Sequence, residues 1–131
     1  MVWELFLKWL PKLMEGGALA LGLTAVSVIG GLIGAIPLGN ARSSKLWYVR
    51  SLPYAYIFFF RGTPLLIQLF LVYYGLGQFE AVRESVLWPY LRSPFWCAVI
   101  TMTLHTAAYI AEILRGAIQA IPPSEIEAAR A

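Results

Sequence analysis

The chain has 131 residues, 60% of them hydrophobic and 13% charged, with a mean hydropathy of +0.69. Soluble domains carry about 25% charged residues, so this chain lacks the charge that a water-facing surface needs, and its composition points to the bilayer. The net charge is +3, but no basic run is long enough to suggest nucleic acid, and the charges fall between apolar blocks as membrane loops do. Cys97 is the sole cysteine. It lies in an apolar block and reads as a small buried hydrophobe, leaving no disulfide framework and no Cys-based metal site.

Residues 1–15 place Trp3, Phe6, Leu7, Leu10, Leu13 and Met14 at helical spacing, with Glu4, Lys8, Lys12 and Glu15 opposite. This is an interfacial amphipathic pattern that can lie at the headgroups. The uncharged run from Gly16 to Ala41 is 26 residues, too long for the apolar core of a cleavable signal peptide. It predicts a first transmembrane helix over 17–38, since roughly 20 residues cross the hydrocarbon. Gly30 and Gly34 are spaced as G-x-x-x-G, which admits a close neighbour; generic tight packing is favoured over a specific dimerisation face.

A loop over 40–51 holds Arg42, Lys45 and Arg50 with no acid, and the positive-inside rule places it in the cytoplasm. The second span is expected over 54–77, with Arg61-Gly62-Thr63-Pro64 interrupting it. Between Arg61 and Glu80 lie 18 uncharged residues. Arg61 therefore either snorkels at the cytoplasmic end of the helix or pairs inside the protein in a gating role. Pro64 removes a backbone donor and invites a kink that Thr63 or neighbouring helices can accommodate.

Residues 78–93 hold Glu80, Arg83, Glu84 and Arg92, a locally neutral loop that fits the extracytoplasmic side. Trp88, Tyr90 and Trp96 flank the next span as an aromatic belt. Ser93 and Pro94 then open the third helix as N-cap and first residue, over 94–115. On it Thr101, His105, Tyr109 and Glu112 form one polar stripe, and such residues at membrane depth face a bundle interior or an aqueous pathway. These four are the candidate substrate-pathway residues. His105 reads more readily as a helix–helix hydrogen-bonder than as a ligand. Glu112 suits an ammonium or cationic group equally well as an internal pair with Arg115 or Arg61, or a place near the headgroups. His105 is the sole histidine, so no three-His or Cys/His metal site is available, and no nucleophile–base pair stands out. No G-x-x-x-x-G-K-[ST] motif is present, so this chain needs no nucleotide cofactor of its own.

Alternation over three crossings puts the amino terminus outside and the last segment, 117–131, in the cytoplasm. There Pro122-Pro123 precedes Ser124-Glu125-Ile126-Glu127, which fits a capping box with Ser124 as N-cap and Glu127 at the third helical position. The chain ends barely one turn into that helix, as a domain cut short would.

Three groups of residues resemble one family: Arg61-Gly62-Thr63-Pro64-Leu65-Leu66 with Gln68; Ala108-Tyr109-Ile110-Ala111-Glu112-Ile113 with Arg115-Gly116; and Ile121-Pro122 followed by Glu127-Ala128-Ala129-Arg130. Together they look like the polar amino-acid permeases of bacterial ABC importers, most closely the histidine/lysine/arginine/ornithine and opine uptake branch, from about residue 14 onward. The resemblance implies an all-α, multi-pass protein of the bacterial inner membrane with five transmembrane helices per subunit, three of them in this chain. It implies a second permease subunit, identical or different, two copies of a cytosolic ABC ATPase, and a periplasmic amino-acid-binding protein as partners. Glu127, Ala128, Ala129 and Arg130 then correspond to the start of the coupling helix that docks on the ATPase. The family pattern continues past this point with a glycine and two more helices, so a truncated or partial permease is expected. The alternative is a small self-contained three-helix assembly or pore-forming protein.

Overall fold

The computed structural model describes residues 1–131, and every regular element in it is helical. Helix α1 spans Val2–Arg42 and α2 spans Trp47–Gly62. Helix α3, Leu65–Phe70, continues through a π turn at Leu71–Gly75 and a 3₁₀ turn at Leu76–Gln78. Two single turns follow, α4 at Glu80–Arg83 and α5 at Trp88–Leu91. Helix α6 runs over Pro94–Ala120 and α7 over Pro123–Arg130.

The main packing surface lies between α1 and α6. A stripe of small residues on α1, comprising Ser27, Gly31, Ala35 and Gly39, is buried, with Gly31, Ala35 and Gly39 against Ala107, Ala108 and Ala111 on α6. Without a hydrophobic drive between helices in lipid, close backbone approach supplies the packing energy, and only small side chains permit it. A Cβ on Gly31 would sit 2.8 Å from Cγ2 of Thr106 and 3.1 Å from the amide nitrogen of Ala107. One on Gly39 would meet Leu114 Cβ at 3.2 Å and the Ala111 carbonyl at 3.3 Å. The seam is thus centred one residue round from the G-x-x-x-G pair, although Gly30 and Gly34 also face α6 at Thr103 and Ala107. The partners ascend together, Gly30 with Thr103, Gly34 with Ala107, Gly39 with Leu114, so α1 and α6 are parallel. The chain between Arg42 and Ser93 therefore returns from one end of the pair to the other. Ile57 on α2 closes the core with Ala35, Ala108 and Ala111, flanked by Leu38, Tyr56, Phe60, Ile110 and Leu114.

Two helices, α1 and α6, are long and apolar enough to cross a membrane, and the segment between them makes a third when its two arms count as one span. Those arms, α2 and residues 65–78, are bent by 110°. The cause is local. Pro64 excludes helical geometry from the residue before it, and Thr63 is extended at φ −114°, ψ 135°. The carbonyls freed there must find partners inside the protein. Thr63 Oγ1 donates to the Phe59 carbonyl at 2.7 Å, and Gln68 Nε2 donates to the carbonyls of Phe60 and Thr63 at 2.8 and 2.9 Å.

Several elements differ from expectation. Residues 1–15 and 17–38 are turns of one helix, and the expected 54–77 span is divided by the bend. Helix α6 does not end near Arg115-Gly116; it continues to Ala120, because a single glycine costs a helix only about 1 kcal/mol. The capping box is not formed. Helix α7 starts at Pro123, its N-cap is Pro122, and Ser124 lies inside the first turn, making no capping hydrogen bond. Pro123 is pre-organised for the first helical position, and the Pro122 carbonyl takes the amides of Glu125 and Ile126. At the other end of the bundle, Ser93 and Pro94 hold their expected places as N-cap and first residue of α6.

Three substitutions test this packing and the bend. Gly31→Ala drives a methyl into Thr106 and is expected to destabilise the helix pair by about 1–3 kcal/mol in detergent–SDS unfolding followed by circular dichroism. Gly22→Ala, with nothing within 4 Å, should be neutral in the same titration. Gln68→Leu strands two carbonyls at the bend and should cost at least about 2 kcal/mol, read as increased protease cutting between Arg61 and Leu65.

Candidate functional site

The bend brings the carboxyl end of α2 and the first turn of α3 against the middle of α6. Gln68, only 2% exposed, is the pivot. With its Nε2 committed to two carbonyls, its Oε1 faces His105 Nδ1 at 3.0 Å. An amide oxygen only accepts, so Nδ1 carries the proton and Nε2 of a neutral ring is left as an acceptor. The His105 ring lies against Tyr109, with centroids 4.8 Å apart. The Tyr109 hydroxyl points at the Arg61 carbonyl at 3.4 Å, and the Arg61 guanidinium sits 5.7 Å from the Tyr109 ring centre.

One turn further along α6, Glu112 is the only acid of the cluster, with its side chain 16% exposed. Arg115 Nε donates to its Oε1 at 2.8 Å and Arg115 Nη2 bonds the same atom, while Arg61 Nη1 lies 3.9 Å away. Arg115 is held from its other side by Gln119 Oε1 at 2.9 Å. All three contacts converge on Oε1; Oε2 has no hydrogen-bond or ion-pair partner in the chain. The Arg61 side chain is 47% exposed. The cluster thus offers an open carboxylate oxygen beside a half-exposed guanidinium, two groups of opposite charge within a few ångströms.

The polar stripe is divided by this arrangement. His105, Tyr109 and Glu112 share the site with Arg61. Thr101 does not: it is fully buried, and its hydroxyl has no hydrogen-bond partner. Of the Arg61-Gly62-Thr63-Pro64 motif, only Arg61 presents a side chain to the cluster; Gly62 has open space around it, and Thr63 and Pro64 make the bend. Gln68 and Gln119 were not among the candidate site residues. Gln68 figures only in the family resemblance, and a further signal was available in its amide, set within the apolar run Leu65–Leu71. Glu127, Ala128, Ala129 and Arg130 lie on α7, exposed throughout, beyond the end of α6 and the extended link at Ile121–Pro122. At about 1.5 Å per residue, α6 runs roughly 12 Å from Glu112 to Ala120.

Residues 27–131 match the family described as binding-protein-dependent transport system inner membrane component. The chain is 46% identical over 130 residues to the octopine transport system permease protein OccM of Rhizobium radiobacter, covering 99% of this chain and 51% of that protein. It is 43% identical to the nopaline transport system permease protein NocM of Agrobacterium fabrum, covering 98% of this chain and 54% of that one. With the arginine ABC transporter permease protein ArtM of Escherichia coli it shares 41% identity, covering 90% and 54%. The crystal structure of an amino acid ABC transporter with histidines superposes with a TM-score of 0.78 at 33% identity, covering 95% of this chain and 54% of that one. The chain thus spans about half the length of the curated relatives it matches. With four-fifths of its length inside the family match, the chain belongs to the binding-protein-dependent transport system inner membrane components.

Proposed function

We propose that this chain is part of a permease subunit of an ATP-driven importer of polar amino acids or opines, and that the Glu112 cluster lies on the substrate pathway. The observation that carries the reading is the geometry of one helix: α6 holds the cluster at its middle and is joined to the exposed α7 by the short extended link Ile121–Pro122. Motion of α7 would pass through the proline-stiffened link at Ile121–Pro122 to α6 and Glu112 and, through Arg61, to the bend in the second span. That is the linkage alternating access requires. The relatives' names, for octopine, nopaline and arginine, support a substrate that is a small zwitterion carrying extra charge or polar groups. Arg61 suits the carboxylate of such a molecule, and the free Oε2 of Glu112 suits its ammonium.

Parallel α1 and α6, with a broken return between them, support three crossings, with both chain ends on opposite faces of the membrane. The basic turn at Arg42, Lys45 and Arg50 supports placing that end, and α7 with it, in the cytoplasm of a bacterial inner-membrane protein. The partners that follow are a cytosolic ATPase meeting Glu127–Arg130, a second permease subunit within a five-helix-per-subunit assembly, and a periplasmic binding protein. ATP hydrolysis belongs to the ATPase. The alternative, a self-contained three-helix assembly or pore-forming protein, is not favoured by the family match.

Two outcomes follow for the assembled transporter in proteoliposomes. Glu127→Lys should leave membrane insertion and basal ATP hydrolysis intact and lower uptake by at least about tenfold, through loss of a charged contact at the docking helix. Normal coupled uptake in that variant removes the docking role. Glu112→Gln should raise the half-saturating concentration of a basic amino acid by about tenfold while moving the maximal rate less; an equal fall of maximal rate for every substrate would assign Glu112 to structure alone.

A further inference from the structure

The turn between α1 and α2 encloses an open cleft of about 460 Å³ lined by Arg42, Trp47, Arg50, Ser51 and Tyr54, with no acidic side chain among them. Neither arginine pairs with a carboxylate anywhere in the chain. Arg42 is held in place by stacking, its guanidinium carbon 4.7 Å from the Tyr54 ring centre. Its Nε is buried and has no hydrogen-bond partner. A buried N–H left unpaired costs free energy. The cleft also sits at the amino end of α2, a helix of 16 residues whose N-cap, Leu46, supplies no side-chain oxygen. The amides of Trp47 and Tyr48 consequently take no acceptor, which adds partial positive charge to that of the two guanidinium groups.

The rim says where an anion would come from. Trp47 and Tyr54 are 71% and 50% exposed, and the neighbouring Tyr48, outside the lining, is 62% exposed. Aromatic rings collected at the junction of two apolar helices lie at headgroup depth, as Trp and Tyr do in membrane proteins. At that depth the abundant anion is the lipid phosphodiester, and basic pockets between membrane helices are suited to it. Planar guanidinium groups match its geometry with paired hydrogen bonds.

We propose that this cleft binds the headgroup of an anionic phospholipid, with Arg42 and Arg50 on the phosphate and Trp47 and Tyr54 against the glycerol. The cleft shares no residue with the Glu112 cluster, although Arg42 is near enough to act on the charge of Glu112, and the proposal depends only on the chain being in a bilayer. It is tested by native mass spectrometry of the purified protein in micelles containing equal amounts of phosphatidylglycerol and phosphatidylcholine. Phosphatidylglycerol should be retained preferentially, and retention should fall about thirtyfold in Arg42→Gln/Arg50→Gln. Arg42→Lys/Arg50→Lys, which keeps the charge, should restore part of it, and Arg83→Gln/Arg92→Gln at the other loop should change nothing. Millimolar inorganic phosphate should not displace the lipid. Equal retention of the two lipids by the unaltered protein, unchanged retention in the glutamine variant, or displacement by free phosphate would each overturn the proposal; the first needs no variant to fold.

Discussion

Inside a bilayer the backbone has no water to bond, so any interruption of a helix must be satisfied by the protein itself. The interruption at Gly62–Pro64 is where this constraint bears hardest, and one side chain meets most of it. Gln68 closes the carbonyls of Phe60 and Thr63 and still has an oxygen left for His105. Because it does so while buried, the bend has a fixed partner on α6. Everything assembled at the site, Arg61 over Tyr109 and near Glu112 included, inherits its position from that arrangement.

The second dependence is steric. Helices α1 and α6 approach closely because Gly31, Ala35 and Gly39 meet alanines and the methyl of a threonine. Small residues here do more than permit contact; they set the two helices in register and parallel. A parallel pair leaves the intervening chain no choice but to come back between its ends, and the broken segment is how it does so. The bend and the seam are thus two parts of one solution: the seam aligns the outer helices, and the bend turns the return path so that its polar break faces α6.

Much of this was legible in the residues. Three apolar blocks, the disruption at Arg61–Pro64 and the polar stripe on α6 all follow from hydropathy and helical spacing, and the family resemblance is matched by the comparison with known permeases. What was not legible has physical causes. A capping box is a pattern of side chains, but Pro123 had already supplied the helix start through its backbone, so Ser124 had no end to cap. Gly116 reads as a stop, yet a helix extended from a packed core tolerates it. Periodicity places Thr101 on one stripe with His105 and Glu112, but a stripe on a long helix faces different neighbours at different heights, and Thr101 is buried away from the polar cluster. The glutamine at position 68 was visible; its three simultaneous hydrogen bonds depend on a bend angle that no spacing rule supplies.

The length of α1 has one more implication. At about 1.5 Å per residue its 41 residues extend for roughly 61 Å, about twice the hydrocarbon thickness of a bilayer. Its buried positions begin only at Ser27, so the first half packs against no other element of this chain. How much of it is submerged is then set by the thickness of the membrane, and mismatch is relieved by tilting the rod. Since the same rod carries Gly31 and Gly39, a change in bilayer thickness becomes a torque on the α1–α6 seam.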